Sequence, residues 1–237
     1  MHTLVIKNLT VEAGGEKRIQ DATLDVKPGE IHALVGPNGS GKSSLAFATA
    51  GHPDYRVLSG SIRLGGIDLL SLPPEERARK GLFLSFQEPP EIGGVSLHTF
   101  LKTIGASNEF PQDIFAKIGI DEAFPRRFLN EGFSGGEKKK SELLQLVSRR
   151  PRVAILDEID TGLDSSARIA VPAILHELAA GGLGILVITH SFPFLNALAP
   201  SGVSVCVNGR IIASGGKELI SQLETKGYEG VNRDTRT

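Results

Sequence analysis

Ile31-His32-Ala33-Leu34-Val35-Gly36-Pro37-Asn38-Gly39-Ser40-Gly41-Lys42-Ser43 is the stretch that decides the fold. Its first five residues form an apolar run closed by Gly36, the length and composition of a buried strand. The next eight fit G-x-x-x-x-G-K-[ST]. Residues 42–50, stopped by Gly51 and Pro53, supply a helix directly behind them. A strand, a glycine-rich turn and a helix N-terminus in that order make a phosphate cradle. The glycines let backbone N–H groups curl around phosphate, and the helix end adds partial positive charge. Lys42 would neutralise the β and γ phosphates, and the Ser43 hydroxyl would ligate Mg²⁺. The candidate ATP-binding residues are therefore Gly36, Pro37, Asn38, Gly39, Ser40, Gly41, Lys42, Ser43 and Ser44.

Strand-like runs lie upstream at 3–11 and 21–26, and a further edge strand is expected at 61–64. Pro74-Glu75-Glu76-Arg77-Ala78-Arg79 reads as a charged helix with proline in its first turn. From about residue 88 to 150 the patterns turn helical, with helices expected over 97–104, 112–118 and 138–147. After Pro151 short apolar runs return at 153–156, 183–189, 203–207 and 210–213, with helices expected over 165–179 and 217–225. Strand–helix alternation on both sides of a helix-rich insert predicts an α/β, P-loop NTPase core with a parallel central sheet. Residues 1–87 and 151–237 would form that core, and 88–150 a helical subdomain. The polar tail from Asn232 is expected to fray.

Composition narrows the function classes. Lys and Arg number 26 against 27 Asp and Glu, so no global basic field favours nucleic acid. No apolar run approaches the ~20 residues that span a bilayer, and the N-terminus lacks the regions of a signal peptide. The lone cysteine, Cys206, permits no intrachain disulfide and falls in an apolar strand pattern, so it reads as a core residue. A cytoplasmic protein is expected, serving any membrane only through another subunit.

Two further motifs carry chemistry. Val153-Ala154-Ile155-Leu156-Asp157-Glu158 is an apolar strand ending in two acids. At a strand's carboxyl end, Asp157 can hold Mg²⁺ through water, and Glu158 is placed to polarise an attacking water. Phe133-Ser134-Gly135-Gly136-Glu137 stands directly ahead of a helix, so Ser134–Glu137 forms a second anion site. A second such site in one chain makes sense if it caps the ATP of another copy.

That stretch resembles the signature motif of the ABC ATPases, and its companions occur in the family's order. Gln87, after an apolar run, matches the Q-loop; Thr161-Gly162-Leu163-Asp164 matches the D-loop; His190 matches the switch histidine. The chain is identified as a member of that family. The resemblance implies an antiparallel β-subdomain beside the core, a head-to-tail homodimer on ATP binding, and ATP hydrolysis. It also implies that Glu158, His190 and Gln87 are catalytic, that Ser43, Gln87 and Asp157 hold Mg²⁺, and that Ser134–Glu137 and Asp164 face nucleotide. No aromatic suited to stack on adenine is evident near Glu16-Lys17-Arg18-Ile19, so weak base recognition is expected.

Within the family, residues 81–92 (GLFLSFQEPPEI), 132–140 (GFSGGEKKK) and 214–219 (SGGKEL) with Lys226-Gly227-Tyr228 resemble SufC. SufC is the ATPase subunit of the Suf iron–sulfur cluster assembly system. Gly51-His52-Pro53 and residues 74–78 add to the likeness. The departures are Ser44, Ile159 and the run Ser191-Phe192-Pro193-Phe194. This resemblance implies SufB/SufD-like scaffold partners, the alternative being membrane permeases served by a transporter's nucleotide-binding subunit. Lys138-Lys139-Lys140 reads as a solvated helix face. The SufC resemblance suggests instead that Lys139 pairs with Glu158 in the resting monomer.

Overall fold

The computed structural model describes residues 2–105 and 112–234. The chain opens with two antiparallel strands, β1 (Leu4–Ala13) and β2 (Glu16–Val26), joined by a turn at Gly14-Gly15. The strand-then-helix expectation is met by β3 (Ile31–Val35), buried at all five positions, and α1 (Lys42–Ala50). Next come β4 (Arg56–Leu64), β5 (Ile67–Asp68), α2 (Pro74–Arg79) and β6 (Leu82–Ser85). The following stretch holds β7 (Ile92–Ser96), α3 (Leu97–Thr103), α4 (Gln112–Ile118), β8 (Phe128–Leu129) and α5 (Gly135–Arg149). The last part alternates β9 (Val153–Asp157), α6 (Ser165–Ala180), β10 (Gly184–Ile188), α7 (Phe192–Leu198), β11 (Gly202–Val207), β12 (Arg210–Gly215) and α8 (Glu218–Asp234).

Six strands form the central sheet in the order β12-β11-β3-β10-β9-β6. β11, β3, β10, β9 and β6 run parallel, which is the parallel core expected, and β12 closes one edge antiparallel, which makes the sheet mixed. The tight turn at Asn208-Gly209 makes β11–β12 a hairpin, which only antiparallel strands allow. A second, antiparallel sheet has the order β2-β1-β4-β5. The strand expected at 61–64 is therefore no edge: β4 begins at Arg56 and pairs with both β1 and β5. The two sheets bury a shared apolar layer against α1, including Leu34, Leu45, Ile62 and Leu186. A second core lies between the sheet's other face, α5 and α6, with Leu144, Leu156 and Ile174 among its members.

The helix expected at 217–225 extends to Asp234 and breaks at Gly227, whose φ of 67° lies outside the helical region. Asn232–Asp234 are thus helical where fraying was expected, and 235–237 fall outside the described residues. Helix α7 was not foreseen. Ser191 caps it by accepting from the Phe194 N–H at 3.4 Å, and Pro193 stands where no intrahelical donor is needed.

The C-terminal end of α1 shows how a buried charge closes a helix. Arg77, 7% exposed, donates from Nη1 to the Ala48 and Thr49 carbonyls and from Nε to the Leu72 carbonyl, each at 2.9 Å. Arg77→Ala removes these three charged hydrogen bonds and is expected to cost about 2–4 kcal/mol, read as a lower midpoint in urea unfolding.

Candidate functional site

The parallel strands place their carboxyl ends on one side, and the chemistry collects there. After β3 the chain turns through Gly36 and enters α1 at Lys42. A Cβ on Gly36 would lie 2.0 Å from the Cys206 carbonyl oxygen, so only glycine lets the turn pass this close to β11. From the other side, the Cys206 thiol meets the Ser40 carbonyl at 3.1 Å. Cys206 is a core residue as expected, and it also backs the phosphate cradle. Lys42 folds over the turn and donates to the Gly36 and Pro37 carbonyls, both at 2.9 Å. Burial pushes its ammonium down, while the neighbouring Cys206, Asp157 and Glu158 act to raise it.

Gly39–Ser44 line a cleft of ≈ 340 Å³ together with Ala13, Gly14, Arg18 and Tyr55. Tyr55 is an aromatic that the sequence did not point to, because it follows α1 rather than lying near Glu16–Ile19. Its ring stacks on Phe47 at 5.1 Å between centroids. Pro37 and Asn38 are exposed, and Gly36 and Ser40 are buried beneath them.

Asp157 ends β9, 2% exposed, with both carboxylate oxygens lacking a hydrogen-bond partner. Burial pushes this carboxyl up, and the neighbouring Ser43 hydroxyl leads the influences that pull it down. A buried carboxylate with two vacant oxygens beside a hydroxyl fits a hard divalent cation, so Ser43 and Asp157 are the pair that would hold Mg²⁺. When bound, such an ion supplies charge neutralisation on phosphate oxygens. Gln87, the third expected ligand, is exposed and donates its amide to Glu158. Among the described residues, no group of three or more His, Cys, Asp or Glu side chains could hold a metal ion.

Glu158 follows at a φ of 52°, a left-handed backbone that a non-glycine residue adopts only when its surroundings hold it there. Its N–H donates to the Ile188 carbonyl at 2.9 Å, tying it to the end of β10. Its Oε2 accepts from Gln87 Nε2 at 2.8 Å, and its Oε1 lies 3.3 Å from His190 Nδ1. The three residues expected to be catalytic, drawn from three strand ends, are thus in contact.

Ser134 caps α5 in a reciprocal capping box with Glu137. Arg127 contacts the Glu137 carboxylate and lies 4.2 Å above the Phe133 ring, which anchors the turn from behind. Ser134 and Gly135 are exposed and lie outside the cleft lined by their own chain's Gly39–Ser44. A Cβ on Gly136 would stand 2.5 Å from the Gly162 carbonyl oxygen, so the 134–137 turn packs directly on the 161–164 loop. Asp164 caps α6 by accepting from the Ala167 N–H at 2.8 Å and also accepts from Lys140 Nζ at 2.7 Å. These donors hold its carboxyl well below the usual range.

The lysine run departs from both expectations. Lys139 and Lys140 are buried, so this is no solvated face, and Lys139 does not pair with Glu158. Lys139 Nζ donates to the Phe86 carbonyl at 2.5 Å and the Asp157 carbonyl at 3.3 Å, and lies 3.6 Å from Glu142 Oε2. Glu158 is satisfied by Gln87 and His190 instead. Burial pushes the Glu142 carboxyl up to about 7, opposed first by Lys139. An acid with a raised folded pKa holds its proton more tightly in the folded state. Its contribution to stability therefore falls as pH rises from the ordinary value of 4.5 to about 7, then levels. Glu142→Gln is expected to flatten that part of the slope, measured by urea unfolding across the same window.

Fold and site together define a P-loop ATPase with a mixed central sheet, an antiparallel sheet beside it and a helical subdomain. The family model described as ABC transporter matches residues 19–161, and the chain belongs to that family. It is 43% identical to Vegetative protein 296 of Bacillus subtilis, over 98% of this chain and 94% of that protein. A probable ATP-dependent transporter of Synechocystis is 44% identical, over 95% and 94%. A solved ATP-binding subunit of an ABC transporter shares the fold with a TM-score of 0.82 at 24% identity, covering 99% of both chains. No helix among the described residues is long and apolar enough to cross a membrane.

Proposed function

We propose that this chain hydrolyses Mg-ATP as a head-to-tail homodimer and uses the cycle to move a partner protein. One observation carries the reading: the 134–137 turn is built as a helix N-terminus with exposed Ser134 and Gly135, yet lies outside its own chain's nucleotide cleft. A second copy's ATP is the anion that position suits. In each site, Gly36–Ser44 hold the phosphates, Ser43, Asp157 and Gln87 attend to Mg²⁺, and Glu158 polarises water. His190 reaches the γ-phosphate, and Ser134–Glu137 and Asp164 close the site from the other copy. Residues 88–150 act as the lobe that carries the 134–137 turn against the core of 1–87 and 151–237.

For the partner we infer a cytoplasmic iron–sulfur cluster assembly scaffold of the SufB/SufD kind. The support is the resemblance of residues 81–92, 132–140 and 214–219 to SufC. Cys206 alone cannot hold a cluster, which needs about four protein ligands, so cluster chemistry would belong to the partner. The second reading is a nucleotide-binding subunit that drives a membrane permease. The description of the matching family and the name of the Synechocystis relative weigh toward it. Affinity capture of the tagged chain from its own cells, read by mass spectrometry, separates them. Soluble scaffold subunits support the first reading, and polytopic permeases replace it with the second.

A further inference from the structure

Lys139 and Glu142 stand one turn apart on α5, 4% and 3% exposed, and neither lines the phosphate cleft nor touches Glu158. What they hold is backbone. Glu142 Oε1 accepts from the Phe86 N–H at 2.7 Å, and Lys139 Nζ donates to the Phe86 carbonyl at 2.5 Å, so both polar groups of one peptide position are gripped. Glu142 Oε2 accepts from the Ser85 hydroxyl at 2.7 Å. The same lysine reaches the Asp157 carbonyl at 3.3 Å. The residues that follow Phe86 and Asp157 are Gln87 and Glu158, whose side chains bond to each other at 2.8 Å. A closed circuit results, running from α5 through Phe86 to Gln87, across to Glu158, and back through Asp157 to α5.

We propose that Lys139 and Glu142 are positioning residues that lock the Gln87–Glu158 pair to α5, so that capture of a second copy's nucleotide by the first turn of α5 sets the water-polarising carboxylate in its own site. This inference rests on the head-to-tail dimer proposed above. Apolar residues of similar volume would leave the Ser85 hydroxyl, the Phe86 N–H and the Phe86 and Asp157 carbonyls without these partners, so what the pair supplies is a hold on particular groups. Two charges spent on the backbone of the residues preceding Gln87 and Glu158 serve position.

Three full-length proteins test it: wild type, Glu142→Gln, and the double variant Lys139→Met with Glu142→Leu, which replaces the charges by matched apolar volume. In the double variant kcat is expected to fall about 10²-fold, the size of a displaced catalytic group, with KM and the Kd for ATP changed by less than about threefold. Glu142→Gln keeps an acceptor for the Phe86 N–H and is expected to stay within about tenfold of wild-type kcat. Hydrogen exchange at the Phe86 amide, followed on the nucleotide-free chain, should speed up at least about tenfold in the double variant only. A folded double variant with kcat within about threefold of wild type overturns the proposal, as does unchanged exchange at Phe86. Parallel loss of thermal stability, ATP affinity and turnover in both variants also overturns it, because that is the pattern of a merely structural pair. A Glu158→Gln chain that binds ATP and stays monomeric sinks the dimer reading by itself, and the exchange at Phe86 still decides whether the clamp exists.

Discussion

Glu158→Gln is expected to lower ATP turnover by about 10²–10⁴-fold while leaving ATP binding in place. The carboxylate is mostly buried and held at both oxygens, by Gln87 Nε2 at 2.8 Å and beside His190 Nδ1 at 3.3 Å. Its left-handed backbone, at a φ of 52°, fixes where the side chain starts. Glutamine has the same shape and can still accept from Gln87, so the local fold should survive. It cannot take a proton from water at neutral pH, and that is the property the role proposed for Glu158 requires. Steady-state phosphate release measures the loss, and titration with a fluorescent ATP analogue measures binding. Full turnover in this variant would remove Glu158 as the catalytic carboxylate.

The second large effect is expected at the phosphates. Lys42→Met should weaken ATP binding about 10²-fold, since a charged hydrogen bond is worth about 1.5–3 kcal/mol and 1.4 kcal/mol is tenfold in Kd. The ammonium bonds to the Gly36 and Pro37 carbonyls, which hold it over the turn. Methionine keeps a long unbranched side chain without the charge, so the fold should persist. Calorimetric titration with ATP checks it, and a Kd within about threefold of wild type would place Lys42 away from the phosphates.

Much of this site was readable from the sequence because its parts are local. Gly36–Ser43 needs only a strand before it and a helix after it, and both occur where the apolar pattern puts them. Asp157-Glu158 at the end of an apolar run gave the second strand end in the same way. What escaped the sequence depends on contacts between distant segments. Lys139 sits in a run that looks solvated, and only packing of α5 under β6 and β9 turns it inward to Phe86 and Asp157, with Glu142 one turn on reaching the Phe86 N–H. Tyr55 reaches the cleft from beyond α1, and Cys206 meets Ser40 across 166 residues of chain, so no local pattern signals either. β8 is two residues long and has no period to detect.

In the proposed dimer, ATP joins two copies through the cradle of one and the 134–137 turn of the other. Light scattering on Glu158→Gln, with and without Mg-ATP, tests it most directly. The expected mass is that of the 25.2 kDa monomer without nucleotide and twice that with it. Adding Ser134→Arg to the same variant, which puts bulk on the turn while the cradle stays intact, should return the mass to the monomer with ATP still bound. A Glu158→Gln chain that binds ATP and stays monomeric, or a dimer indifferent to Ser134→Arg, would contradict it.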